Sequence, residues 1–310
     1  MAFHFPAWLI LNRNRTGQDE MKVPDATGIQ WRHELKYELS VSEAAAIRSR
    51  LQAIAEPDPH SGKDGRYWIR SLYFDSYRDV ALQEKLNGVN LREKFRIRYY
   101  NRDPSWLKLE KKYKRNGLGT KFSEKIHPET VQDILNGSND WFPETIGRNN
   151  SEYERPLLME LYSKMRFACL RPKIIIDYVR EPYQFEAGNV RVTFDYNLRV
   201  SWNLADFLNP ECDTVPADYP LRAMDDSFRI PKIELAWPKP KNVGERLRTE
   251  NIGERLQPEN GELPIARPPL LMEVKWDNFL PGIIQEVIQT PCLPAGAFSK
   301  YAYSRVFFDF

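Results

Sequence analysis

Charged and apolar side chains alternate with a period of two through several stretches of this chain, the pattern of a β-strand with one polar and one buried face. In residues 31–39, Arg32, Glu34, Lys36 and Glu38 alternate with His33, Leu35 and Tyr37. In 93–100, Lys94, Arg96 and Arg98 point one way while Phe95, Ile97 and Tyr99 point the other. Residues 106–113 set Lys108, Glu110 and Lys112 against Leu107, Leu109 and Lys111. Residues 189–199 set Arg191, Thr193, Asp195 and Asn197 against Val192, Phe194, Tyr196 and Leu198. Glu273 and Lys275 share a face of a last strand at 270–276. Further strands are expected at 67–74, 121–126 and 173–180, with Lys121 turned to the charged side.

Between these strands the period changes to that of a helix. Ser40 and Glu43 form a capping box before Ile47, Leu51 and Ile54, a helix that stops ahead of Pro57. Pro128 opens a short helix carrying Val131, Ile134 and Leu135, closed by Gly137. Residues 156–170 present Leu158, Leu161 and Met165 on one stripe, and a last helix is expected near 281–288. Asn87-Gly88, after a loop-like stretch at 79–86, reads as a hairpin turn, and Asp103-Pro104 as another turn. Residues 1–28 read as an N-terminal tail ahead of one domain at 29–310. Within that domain a polar, Pro-rich insertion spans about 203–267 and holds a near-repeat beginning at Asn242 and Asn251.

Composition narrows the function classes less than placement does. The chain has 310 residues, 42% of them hydrophobic, enough for a substantial core, but its net charge is only +2, so total charge does not announce a polyanion binder. Cys169, Cys212 and Cys292 lie far apart with no CxxC spacing, which makes a reducing cytoplasm the expected compartment. No stretch approaches the roughly 20 apolar residues that span a bilayer. The apolar residues 3–11 lack the basic start and cleavage site of a signal peptide.

A sheet whose polar faces are dominated by Arg and Lys is unlike an ordinary half-solvated sheet, which mixes charge signs with Thr, Ser and Gln. Closed into an antiparallel β-barrel of α+β class, with the charged faces inward and amphipathic helices outside, it would hold cations too costly to leave uncompensated. Such a lumen calls for an anionic guest, and phosphate oxygens suit the Arg fork and the Lys point charge. The acids among the bases, Glu34, Glu110, Asp195 and Glu273, are candidates to hold a divalent cation bridging phosphates. Nucleic-acid binding is disfavoured, because Phe95, Tyr99, Phe194 and Tyr196 fall on the faces opposite the cations.

The chain resembles the catalytic domain of the vacuolar transporter chaperone (VTC) polyphosphate polymerases, within the triphosphate tunnel metalloenzymes, over roughly 31–200 and 270–305. The resemblance rests on RHELKYELS (32–40), SLYFDS (71–76), FRIRYY (95–100), LEKKYKRNG (109–117), DYVREPY (177–183), VRVTFD (190–195), LMEVKWD (271–277) and FSKY (298–301), in this order and spacing. It implies an eight-stranded antiparallel tunnel that transfers the γ-phosphate of ATP to polyphosphate with a divalent metal, Mn2+ or Mg2+, and leaves room for a partner membrane protein. Lys36, Lys85, Arg96, Arg98 and Lys112 would grip the phosphates, joined by Arg180 and Arg191, with Lys108, Lys121 and Lys275 as further contacts. Tyr178 would flank the site, Glu273 would hold metal with Glu34 and Glu110, and Ser299 with Lys300 would close one end.

The wider superfamily's ExExK strand reads Arg32-His33-Glu34-Leu35-Lys36 here, a departure shared with the polymerase branch. Ala297 stands where the family carries a further Lys. Two alternatives stay open: a triphosphatase, with water as acceptor, and a non-catalytic receptor for polyphosphate or inositol phosphates, to which Ala297 points.

Overall fold

The computed structural model describes residues 29–62, 64–138, 155–212, 214–217, 269–289 and 295–306. Contacts divide the chain into two units, Met1–Gln30 and Trp31–Phe310, and the second carries all the elements below. The predicted tail and most of the predicted insertion lie outside the described residues.

The elements in chain order are β1 (His33–Leu39), α1 (Val41–Gln52), β2 (Glu56–Pro57), β3 (Tyr67–Asp75), α2 (Val80–Leu86), β4 (Arg92–Tyr100), β5 (Asp103–Arg115) and β6 (Leu118–Ile126). There follow α3 (Pro128–Leu135), α4 (Pro156–Phe167), β7 (Arg171–Phe185), β8 (Val190–Ser201), β9 (Val215–Pro216), β10 (Leu270–Trp276), α5 (Gly282–Ile288) and α6 (Lys300–Val306). Eight long strands form one antiparallel sheet in the order β1-β10-β8-β7-β3-β4-β5-β6, and the two-residue strands β2 and β9 pair at its side. The sheet curls into a half-barrel, and one isolated bridge from Arg32, just ahead of β1, to Gly119 of β6 joins its two edges. Arg32 N donates to Gly119 O at 2.9 Å, and Gly119 N returns to Arg32 O at 3.0 Å. No helix among the described residues is long and apolar enough to cross a membrane.

The apolar strand faces are covered where the alternation predicts. Leu72, Phe95, Ile97 and Leu109 pack outward under Val131 and Ile134 of α3 and Leu158, Leu161 and Met165 of α4. Val192, Phe194, Met272 and Val274 pack under Ile47 and Leu51 of α1 and Ile284 and Ile288 of α5. The Ser40–Glu43 capping box forms as predicted. A third cluster sits on the concave side, where Ile69, Tyr73, Ile174, Ile176 and Tyr178 meet Tyr301 and Ala302 of α6. Not every helix is therefore outside: α6, for which the sequence predicted no helix, packs on the concave side of the half-barrel.

Five local expectations are corrected. Val80–Leu86 is a helix, because the Asp75 carboxylate at the end of β3 accepts from Ala81 N at 2.9 Å and Leu82 N at 3.0 Å. Asn87-Gly88 ends that helix and makes no hairpin. The β4–β5 turn is Asn101-Arg102, both left-handed (φ 51° and 60°), and Asp103-Pro104 already belongs to β5. Asn197 (φ 55°) sits at a bulge that inverts the alternation, so Leu198 and Val200 turn into the concave cluster instead of Asn197 continuing the polar face. Of the stretch read as insertion, Leu204–Leu208 is a 3-10 turn with Phe207 buried in the outer core, and Val215–Pro216 pairs with β8.

On the outer face, Arg70 donates from Nε and Nη2 to Asp177 at 2.9 and 2.8 Å in a fully buried pair. Asp177→Ala strands that guanidinium. It is expected to cost about 3–5 kcal/mol of stability, read as a lowered urea midpoint with unchanged m-value.

Candidate functional site: a cationic chamber in the half-barrel

Register places the charged faces of different strands on one concave wall. Lys36 lies opposite Glu273, Glu34 opposite Lys275, and Lys275 opposite Arg191. Lys94 lies opposite Lys112, Arg96 opposite Glu110, Arg98 opposite Lys108, and Lys112 opposite Lys121. Because β1 and β6 meet, these two halves of the sheet face each other. Lys112 Nζ of β5 reaches Glu34 Oε1 of β1 at 2.8 Å.

Four buried carboxylates organise the wall. Glu34 lies 2.8 Å from Lys112, 3.4 Å from Lys275 and 3.9 Å from both Lys36 and Lys114. Glu273 lies 2.9 Å from Lys275, 3.3 Å from Lys36 and from Lys300, and 3.5 Å from Arg180. Asp195 accepts both Arg180 Nε and Nη2 at 2.6 Å and lies 2.5 Å from Lys300. Glu110 takes Arg96 at 2.7 Å, Lys121 at 2.8 Å and Arg98 at 3.4 Å. Burial opposes ionisation of these acids, yet the cations around them win and hold Glu34, Glu110 and Glu273 well below the usual carboxylate range, and Asp195 below it.

Beside these carboxylates a cavity of about 80 Å³ opens between β1, β4, β5, α2 and the segment before α6. Its cations are Lys36, Lys85, Arg92, Lys94, Lys112 and Lys114, against Glu34 and Glu93. Glu93 is spent elsewhere, since it pairs with Lys111 at 2.9 Å and with Lys164. Lys94 donates to Ser299 Oγ at 3.2 Å and has no carboxylate contact among the described residues. Burial, then the charges of Lys112, Lys36 and Arg96, push Lys94 well below the ordinary lysine range. Burial likewise lowers Lys112 to about 7 despite Glu34, and Lys85 to about 8 with Arg92 and Lys36 adding to the shift. Six cations against Glu34 and a Glu93 engaged elsewhere leave the chamber short of negative charge.

Of the residues expected from sequence, Lys36, Lys85, Lys112 and Ser299 line this chamber, and Arg96, Arg98, Arg180, Lys275 and Lys300 continue its wall. Arg98 donates to Tyr178 Oη at 3.0 Å, and Lys300 stands 4.8 Å over that ring. Lys108 lies apart, 5.9 Å over Tyr100, and the Lys121 side chain is half exposed. Arg191 is engaged by Asp58 and Tyr67.

The three acids proposed as metal ligands do not converge: Glu34 and Glu273 share Lys36 and Lys275, whereas Glu110 sits with Arg96, Arg98 and Lys121. Among the described residues no group of three or more His, Cys, Asp or Glu could hold a metal by itself. The sequence placed Lys94 on the cationic face without assigning it to the site, and it missed Arg92, Lys114 and Tyr73. The first three extend the same period-two face as Arg96 and Lys112. Tyr73 accepts from Arg96 at 3.2 Å on a strand whose hydrophobicity hid its inward face.

A curled antiparallel sheet with a cation-rich concave wall defines a tunnel-fold, phosphate-handling protein. The chain belongs to the VTC domain family, whose model matches residues 31–308. No curated protein matches it in sequence. Solved structures similar to it include a candidate adenylate cyclase from Bacillus halodurans, at 12% identity over 55% of this chain and 75% of that one, TM-score 0.35. A Pyrococcus horikoshii protein matches at 11% identity over 83% and 84% of the two chains, TM-score 0.32. A candidate adenylate cyclase from Vibrio parahaemolyticus matches at 11% identity over 54% and 69%, TM-score 0.31.

The depressed lysines set a stability sign. Between their folded values and the ordinary lysine range the unfolded chain binds more protons, so these groups make stability rise with pH. The ligand-free protein is expected to gain thermal stability from about pH 7 to 9, and saturating tripolyphosphate to flatten that slope by reprotonating the lysines. Differential scanning fluorimetry with and without the anion checks it. Lys94→Met is expected to raise the melting temperature of the free protein while weakening tripolyphosphate binding about tenfold, by calorimetry.

Proposed function

We propose that this protein is a polyphosphate polymerase that moves the γ-phosphoryl group of ATP onto the end of a phosphate chain inside the half-barrel. The observation that carries this reading is the uncompensated positive charge of the chamber and the cationic wall that continues it. A linear phosphate chain brings a negative charge at each unit and neutralises such a wall along its length. In the transfer, a terminal oxygen of the chain bonds to the γ-phosphorus, the bond to the β,γ-bridging oxygen breaks, and ADP leaves with that electron pair. Charge on the equatorial oxygens of a loose transition state is what Lys94, Arg96 and Arg98 are placed to stabilise.

The inner acids favour phosphate over water as acceptor. A phosphate chain is already ionised and needs no base. Water needs to be deprotonated or oriented, and Glu34, Glu110, Asp195 and Glu273 are all clamped by cations and held at low pKa. A divalent cation would be held by Glu273 and Glu34 together with the bound phosphates, since no group of the described acids could hold it alone. Mn2+ or Mg2+ bound there would supply further neutralisation of the β- and γ-phosphates.

Incubation with ATP and Mn2+, with products resolved by size, tests the reading: chains longer than the input are expected. Orthophosphate alone would replace it with the triphosphatase, and tight binding without turnover would replace it with the receptor. Arg98→Ala is expected to lower kcat by about 10²–10³ in the same assay.

A further inference from the structure

Among the arginines that meet an aspartate, Arg191 differs from the two paired through the Nε edge, Arg70 and Arg180. Arg70 and Arg180 each present the Nε and Nη2 edge to a carboxylate, at 2.9 and 2.8 Å to Asp177 and at 2.6 and 2.6 Å to Asp195. Arg191 uses Nη2 alone for Asp58, shares that same nitrogen with Tyr67 Oη at 2.9 Å, and leaves Nε buried with no hydrogen-bond partner among the described residues. A half-used fork around an orphaned buried donor is a poor structural pair, since a buried N–H without an acceptor costs free energy. The same edge suits two oxygens of one phosphate.

Asp58 also differs from the other inner carboxylates in origin. Glu34, Glu110, Asp195 and Glu273 belong to the long strands, whereas Asp58 follows the two-residue strand β2 and is 2% exposed. Its loop is held by Asp58 N to Pro182 O at 3.2 Å, His60 N to Asp58 Oδ1 at 2.9 Å and Ser61 N to Asp58 O at 2.8 Å. Tyr67 begins β3 and Asp75 ends it beside α2, so Arg191 and the chamber with Lys85 lie toward opposite ends of that strand. They are connected: Lys112 and Lys275 share Glu34, and Lys275 is the register partner of Arg191.

We propose that Asp58 is a built-in competitor for a phosphate subsite at Arg191, at the far end of the cationic wall from the chamber. A chain long enough to pass Lys275 displaces the carboxylate and takes both Nε and Nη2, while a shorter anion stays in the chamber and leaves Asp58 in place. The inference rests on the polyphosphate reading above and names an internal regulator of chain binding at that site.

The test compares the full-length protein with Asp58→Asn, using tripolyphosphate and long-chain polyphosphate as probes in calorimetry at several salt concentrations. Asp58→Asn is expected to tighten long-chain binding about tenfold with a steeper salt dependence, to leave tripolyphosphate nearly unchanged, and to lose the gain in an Arg191→Ala background. Unchanged or weaker long-chain binding by a folded variant overturns the proposal, as does an equal gain for both probes or a gain that survives Arg191→Ala. In the wild-type protein, the His60 and Ser61 amides are expected to exchange faster when long-chain polyphosphate is bound and not with tripolyphosphate. Unaltered exchange also overturns it. These readouts need no turnover, so failure to polymerise bears on the proposed activity alone, and polymer synthesis with an indifferent Asp58→Asn variant bears on this inference alone.

Discussion

The structure depends on one electrostatic constraint: the concave wall gathers more cations than it has carboxylates to pair with them. Each inner acid is shared, Glu34 among Lys112, Lys275, Lys36 and Lys114, and Glu273 among Lys275, Lys36, Lys300 and Arg180. Among the described residues Lys94 is left with a serine hydroxyl. Such a wall works against folding, and the two outer cores under α1 with α5 and under α3 with α4 supply the apolar burial that offsets it. The free protein is thus held in a shape that an anion completes.

The concave face is divided. Along β3 and β7 it is aromatic and aliphatic and receives α6, while along β4, β5, β1 and β10 it is cationic and stays open. The helix α6 ties the two parts together. Tyr301 donates to Asp75 at 2.7 Å, and Arg305 grips Asp79 at 3.0 Å, which fixes α6 against the start of α2. Lys300, at the first position of α6, then reaches Asp195 and Glu273, and Lys85 of α2 faces the chamber. The lysine of one helix and the lysine of the other are set by the same pair of aspartates, Asp75 at the end of β3 and Asp79 just before α2.

Several features were legible because their cause is local. Period-two alternation in 93–100 and 106–113 survived as β4 and β5, and the Ser40–Glu43 box capped α1. What was missed has a distant cause. The helix α2 lacks a side-chain cap of its own and is capped by Asp75 from the preceding strand, so residues 79–86 carried no start signal. Asn197 looked like one more polar residue of an alternating face, and only the bulge against β7 shows that the face turns over there. The Asn101-Arg102 hairpin contains a left-handed Arg, a residue type that does not advertise such a turn.

By itself the sequence determined which side chains share a strand face, because alternation follows from backbone geometry, and therefore that Arg and Lys of several strands would act together. It determined the outer helices that cover the apolar faces for the same reason. Only the tertiary structure decided how those faces close on one another. The Arg32–Gly119 junction sets β1 against β6, the insertion of α6 divides the lumen, and the choice of partner leaves Arg180 with Asp195, Arg191 with Asp58 and Lys94 with no acid among the described residues. Those outcomes depend on distances between residues far apart in the chain, and no local period records them.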